Sequence, residues 1–265
     1  MKKLIFSTFL ILIFFTSLSF SQTQRHDYKK VDYIQVDQDK SHQFIKMARE
    51  LMKPAYQKMV DSGDIKSWKL YLVNYGGGKS SEYNFVCVVT VPEIRTIEEK
   101  FSKVESLYFM PASSGQKDSG ELASLSYLVA SEIWKVRSLM AQDTTETMPS
   151  QYLTMDYMSV DEGAGPEYLM LEDEVAMPLH QERAKKGQMA GWEVYSLVLP
   201  GGTEYGYNYA TGNFFDHIAH VEFGFTREII NQALPGTDVQ ELLDTIYDKR
   251  DLVKSEMWEL VTHAK

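Results

Sequence analysis

Apolar and polar positions follow one succession of patterns along this chain, and the succession occurs twice. Tyr33-Ile34-Gln35-Val36 alternates as a short strand, and Phe44, Met47, Leu51 and Ala55 then recur on one helical face. The runs Trp68 to Tyr75 and Tyr83 to Val91 read as two strands about the turn Gly76-Gly77-Gly78. Ile94, Ile97, Phe101 and Val104 return to helical spacing, and a further short helix is expected near Glu121. The closing segment Leu128–Arg137 fits two periods. Leu125, Val129, Ile133 and Val136 suit a helix, whereas Ser131 to Val136 alternates as a strand. Strand is preferred because the unit otherwise lacks a fourth one.

The second succession lies 124 residues on, without a gap. Gly63, Trp68, Tyr71, Gly77, Gly78, Tyr83 and Asn84 reappear as Gly187, Trp192, Tyr195, Gly201, Gly202, Tyr207 and Asn208. Upstream, Asp32-Tyr33 matches Asp156-Tyr157 and Pro54 matches Pro178; downstream, Ser131-Glu132 and Trp134 match Ser255-Glu256 and Trp258. A register held this long indicates duplication. Tyr168, Leu171, Val175 and Leu179 then form the matching helix face, Ile218, Val221 and Phe225 the second helix, and Leu252–Val261 the closing strand. Pro54 and Pro178 fall inside their helices and are expected to kink them, and Gly63 and Gly187 to end them.

Strand–helix–strand–strand–helix–strand, twice, is an α+β chain of two tandem ferredoxin-like βαββαβ repeats. Each sheet has one face covered by helices, so the two open faces are expected to pack against each other as an intrachain pseudo-dimer. The repeats are expected at 22–145 and 146–265, with the polar, proline-containing 142–151 as their boundary. Residues 1–21 read as a cleaved export signal: Lys2 and Lys3, a mostly apolar run from Leu4 to Phe20, then Ser19-Phe20-Ser21. Serines and threonines dilute that run, which argues against a retained membrane anchor.

Composition narrows the function classes. The formal net charge is −10, and more negative once Lys2 and Lys3 leave, which disfavours nucleic acid and anionic membranes as partners. A periplasmic or extracellular setting is expected. Cys87 is the one cysteine, so no internal disulfide is possible, and its apolar run (Phe85 to Val89) marks a buried structural thiol. The glycine turns lack the Lys-Ser/Thr and the following helix of a phosphate cradle.

The candidate chemistry is sparse. Glu132 and Glu256 share a strand face with Trp134 and Trp258, where a carboxylate either holds the fold by pairing or lines a pocket and moves a proton. His180, two residues past a helix proline, is either a surface residue of the run His-Gln-Glu-Arg or a base or haem ligand. His217 and His220 stand at i, i+3 beside Asp216, but no third ligand is evident, and an ordinary amphipathic helix start accounts for them. The recurring aromatics Tyr33, Trp68, Tyr71 and Trp134, with Tyr157, Trp192, Tyr195 and Trp258, are core packing or the lining of a pocket between the sheets for a small apolar or aromatic molecule. No pattern selects a cofactor.

The chain resembles the dimeric α+β-barrel superfamily in tandem form, and within it exported NIPSNAP- and EthD-like proteins. The sharpest likeness lies in Pro178-x-His180-Gln181-Glu182-Arg183, Gly187, Gly191-Trp192-x-x-Tyr195 and Pro200-Gly201-Gly202-Thr203. That resemblance implies cofactor-free oxygenases, haem-linked enzymes, isomerases or proteins without chemistry, and no catalytic residue can be carried over.

Overall fold

The computed structural model describes residues 27–75, 82–101, 116–140 and 149–265; the expected export signal, the first glycine turn and most of the expected linker lie outside them. Eight strands form one closed antiparallel barrel. They are β1 (Tyr28–Val36), β2 (Ser67–Tyr75), β3 (Phe85–Val91), β4 (Ser126–Met140), β5 (Tyr152–Ser159), β6 (Gly191–Leu199), β7 (Tyr209–Phe215) and β8 (Asp251–Ala264). Both closing segments are strands, and longer than the alternating stretch alone implied. The ring order is β1-β3-β2-β8-β5-β7-β6-β4. The halves therefore do more than face each other: β2 pairs with β8 and β4 with β6, so hydrogen-bonded ladders join them along both seams. Closure leaves no sheet edge for another chain to extend.

Helices cover the outside. In the first half they are α1 (residues 41–61), α2 (Ile94–Lys100) and α3 (Gln116–Leu125). In the second they are α4 (residues 165–185), α5 (Arg227–Ala233) and α6 (Val239–Tyr247). The expected proline kinks are met by a different device. A π-helical turn, Ala48–Met52 in α1 and Glu172–Ala176 in α4, immediately precedes Lys53-Pro54 and Met177-Pro178. Each proline thus opens a fresh α-helical segment, where its missing N–H is tolerated. Gly63 and Gly187 end these helices at φ 76° and 69°.

The second helix of the second half departs from expectation. Ile218–Glu222 is a 3-10 turn and α5 begins only at Arg227, after Gly224, whose counterpart in the first half is Lys100. Phe225 is consequently 40% exposed, whereas its counterpart Phe101 is 4% exposed. Two clamps recur at equivalent places: Asn84 bonds both backbone groups of Val36, and Asn208 bonds both of Val160.

Candidate functional site

The barrel interior, whose aromatics read either as core packing or as a pocket lining, is packed. Tyr33, Tyr71, Trp134, Tyr157, Tyr195 and Trp258 fill it with Val31, Val88, Met155 and Phe214. The space left beside Trp134, Tyr195 and Trp258 is about 20 Å³, room for a single water. Trp68 and Trp192 lie on the outer face instead, beneath the helices: Trp68 stacks on Tyr56 and Trp192 on His180.

Glu132 and Glu256 point into this interior, 1% and 4% exposed. Glu132 accepts hydrogen bonds from Tyr33 (2.6 Å), Trp134 (2.7 Å), Tyr207 (2.6 Å) and Tyr205. Glu256 accepts from Tyr83 (2.6 Å), Trp258 (3.1 Å) and Lys254 (3.1 Å). Between them the Tyr33 and Tyr157 hydroxyls meet at 3.0 Å, joining the two halves. Burial and the neighbouring carboxylates hold these phenols far above their usual range. The other end carries Lys29 paired with Glu193, and Lys69, whose pKa burial and the Lys29 charge lower to about 8. Both oxygens of each glutamate are engaged in this network.

Open space lies elsewhere. A cavity of about 340 Å³ sits between α4 and the outer face of the second-half sheet, closed on a third side by the 3-10 turn and Phe223-Gly224-Phe225. Its apolar lining comes from Met158, Leu171, Trp192, Phe215 and Phe225, and its polar lining from Asp156, Glu172, His180, Arg183, Asn213 and Arg250. The same place in the first half is filled. Where the second half has Tyr168, Glu172, His180, Arg183, Asn213 and Arg250, the first has Phe44, Ala48, Tyr56, Met59, Val89 and Ser126. Phe44, Ala48, Tyr56, Met59 and Val89 pack with Trp68, Cys87 and Phe101 into a continuous core.

The cavity groups are perturbed by burial. It pushes the Glu172 carboxyl up to about 7, against the pull of Tyr168 and Arg250. Asp156 is raised too, although Ser255, Arg250 and Asn213 (3.0 Å) oppose this. His180, expected either at the surface or in a cleft, is 6% exposed and belongs to the cavity wall. Burial, then the Arg183 charge, lowers its pKa to about 3, so the ring is neutral. Its Nδ1 lies 3.4 Å from Arg183 Nη1, which can only donate, so Nδ1 is the accepting nitrogen.

No protein-family model and no curated protein matches the chain. Solved structures do. A candidate monooxygenase from Fusobacterium nucleatum superposes with TM-score 0.56 at 7% identity, covering 91% of this chain and 95% of the other. One from Lactobacillus acidophilus gives 0.52 at 10% identity, covering 91% and 96%. The chain has the dimeric α+β-barrel fold. At such identities the likeness extends to the fold alone.

On this α+β barrel the remaining candidates lie outside the cavity lining. His217 and His220 stack edge to face at 5.1 Å on the 3-10 turn. Among the described residues no three His, Cys, Asp or Glu side chains gather as a metal site. Cys87 is buried, accepts from Trp68 Nε1 (3.0 Å), and is pushed up to about 12 by burial, so it is an inert thiol. Among the described residues no helix is long and apolar enough to cross a membrane.

The Glu172 shift has a measurable consequence. Its folded pKa of about 7 exceeds the ordinary 4.5, so the unfolded chain loses this proton first. Stability therefore falls as pH rises from roughly 4.5 to 7 and stays reduced above. Glu172→Gln should match the parent at pH about 5 and exceed it at pH about 8, by up to about 3 kcal/mol, in denaturant titrations. A loss of stability at the higher pH would mean that the Arg250 charge outweighs burial.

Proposed function

We propose that the second-half cavity is the working site of a small-molecule enzyme of cofactor-light type, an oxygenase or isomerase. In this reading Glu172 exchanges a proton with a bound apolar or aromatic molecule. The observation that carries it is the contrast between the halves: one outer layer is solid, while its counterpart is hollow and lined with ionisable groups. Core positions do not become Glu, His, Arg and Arg for stability, because each such group costs desolvation free energy. The volume lies at the lower end of the range for small-molecule sites, mostly apolar walls with a few polar groups. A carboxyl poised near 7 can both give and take a proton at neutral pH. The two monooxygenase-named neighbours belong to the same reaction class.

A haem-linked form of this reading has its own support in His180, held neutral in the cavity wall, the form in which imidazole binds iron. There His180 would hold the iron, and Arg183 and Arg250 would meet the carboxylates of the macrocycle; the group would supply oxygen and one-electron chemistry. The lone pair on Nδ1, now turned to Arg183, would then have to be released or the ring turned. A haem titration of the parent and of His180→Ala separates the forms. A Soret shift that needs His180 supports haem; an unchanged spectrum keeps the cofactor-light form.

We further take the chain to be a tandem duplication of a ferredoxin-like unit, 22–145 and 146–265, exported after cleavage near residue 21 and nearest in kind to NIPSNAP- and EthD-like proteins. The matching strand order of the halves and the 124-residue spacing of the Tyr33–Tyr157 contact support the duplication.

The site reading is tested by giving the cavity the first half's residues. His180→Tyr with Arg183→Met should fold, since Tyr56 and Met59 fill that place in the first half, and should lose any small molecule that co-purifies with the parent. Native mass spectrometry of protein from its own source reads this directly. Glu172→Gln should keep the molecule but lose its turnover; turnover that survives would remove Glu172 as the proton-exchanging group, and a parent that binds the molecule without turnover would leave a binding protein. Retention of the molecule by the filled variant would overturn the site.

A further inference from the structure

The cavity has a one-sided shortage of hydrogen-bond partners. Among the described residues, the buried Nε atoms of Arg183 and Arg250, both lining this one cavity, lack a partner, while the Tyr168 hydroxyl is set against Glu172. A guanidinium Nε can only donate. A buried donor without an acceptor costs about 1–3 kcal/mol, more for a charged group. Arg183 is 6% exposed, so water outside the protein does not serve it. What the site lacks is an acceptor.

Charge and shape narrow that acceptor. The ionisable groups of the cavity are Glu172 on α4, Asp156 on β5, and Arg183 and Arg250, with His180 neutral. Glu172 itself is met by Tyr168 and Asp173 on its own helix, by Asp156 on β5 and by Arg250 at the start of β8. Asp156 is engaged by Ser255 on β8 and Asn213 on β7. With Glu172 protonated, the two arginines and Asp156 leave one positive charge, which a single negative charge balances. A dianion would leave the buried site negative. Trp192, Phe215, Phe223 and Phe225 supply flat apolar walls, and the Arg183 guanidinium already lies over the Phe215 and Phe225 rings at 5.8 and 5.6 Å.

We infer that the ligand is a small aromatic monocarboxylate, its carboxylate taken by Arg183 and Arg250 and its ring by the aromatic wall, and that it enters with uptake of a proton on Glu172. This rests on the reading of the cavity as the site. Guanidinium–carboxylate bonds are the strong kind, so both arginines should matter to affinity. The proton follows from neighbouring charge: a second anion beside Glu172 raises its pKa further, so binding at neutral pH draws a proton from solution. Affinity then declines as pH rises past 7.

Calorimetric titration of the full mature chain with benzoate, its neutral amide benzamide, and phenyl phosphate tests this. Benzoate should bind with proton uptake, seen as heats that depend on the buffer's ionisation enthalpy. It should bind at least about tenfold more tightly than benzamide or phenyl phosphate. Arg183→Met and Arg250→Ser, each restoring the first half's residue, should weaken benzoate about tenfold or more and weaken benzamide by a clearly smaller factor. Glu172→Gln should bind benzoate without taking up a proton. Benzamide binding as tightly as benzoate, benzoate indifferent to both arginine changes, or no benzoate binding overturns the inference. Benzamide binding that disappears in His180→Tyr with Arg183→Met keeps the site while the carboxylate assignment fails. Benzoate binding that survives in that filled variant places the ligand elsewhere and removes the site itself.

Discussion

Glu132→Gln is expected to lower the unfolding free energy by about 2–4 kcal/mol, the largest effect of any isosteric change in the barrel. Four donors converge on this one carboxylate, from Tyr33, Trp134, Tyr205 and Tyr207. An amide keeps the shape but turns one acceptor oxygen into a donor group, which then faces two hydroxyls that need an acceptor. Tyr205 precedes the start of β7, Tyr33 lies on β1 and Trp134 on β4, so the loss is felt by both halves. Glu256→Gln should cost less in neutral donors but strands the Lys254 charge, which has no counterpart at Ala130. Guanidinium titrations of both variants check this. A Glu132→Gln protein as stable as its parent would mean that the cage adds nothing to the fold.

Residues 22–145 expressed alone should fail to give a folded monomer. The isolated half would present β2 and β4 as open edges, each having lost the whole ladder it shares with β8 or β6. It would also expose Tyr33, Tyr71 and Trp134, all almost fully buried in the intact chain. Two free edges flanking an apolar face favour aggregation or self-pairing into a second barrel. Size-exclusion chromatography and circular dichroism decide between these. A cooperatively folding monomer would refute the mutual dependence of the halves.

Much of the barrel is legible in the chain because period-two alternation and the repeated register report on strands directly. Which edges join is not legible, since periodicity tells which face is apolar and nothing about lateral pairing. The π-helical turns escape for a related reason: one extra residue in a helical turn barely disturbs the spacing of Phe44, Met47 and Leu51. The break at 218–226 was hidden by Ile218, Val221 and Phe225, which keep helical spacing in a segment that Gly224 lets go. The cavity is the instructive omission. Glu172 and Arg183 read as the wet face of an amphipathic helix, because a polar residue looks the same in sequence whether it meets solvent or an internal hollow. The signal was in the comparison of halves. Ala48, Tyr56, Met59 and Ser126 align with Glu172, His180, Arg183 and Arg250, four changes to ionisable groups clustered in one place.

The strand ring has a further consequence. Moving four places round β1-β3-β2-β8-β5-β7-β6-β4 carries each strand onto its counterpart and each seam onto the other. Asp27, just ahead of β1, is held by Lys66 beside β2, and Lys265, just past β8, by Gln57 of α1. Asp27 and Lys265 therefore both lie near the start of β2, as the end of β4 and the start of β5 flank β6 and β8 at the opposite seam. In topological terms the ring has no first strand. The covalent order of the halves is one of two interchangeable ways of cutting the same circle.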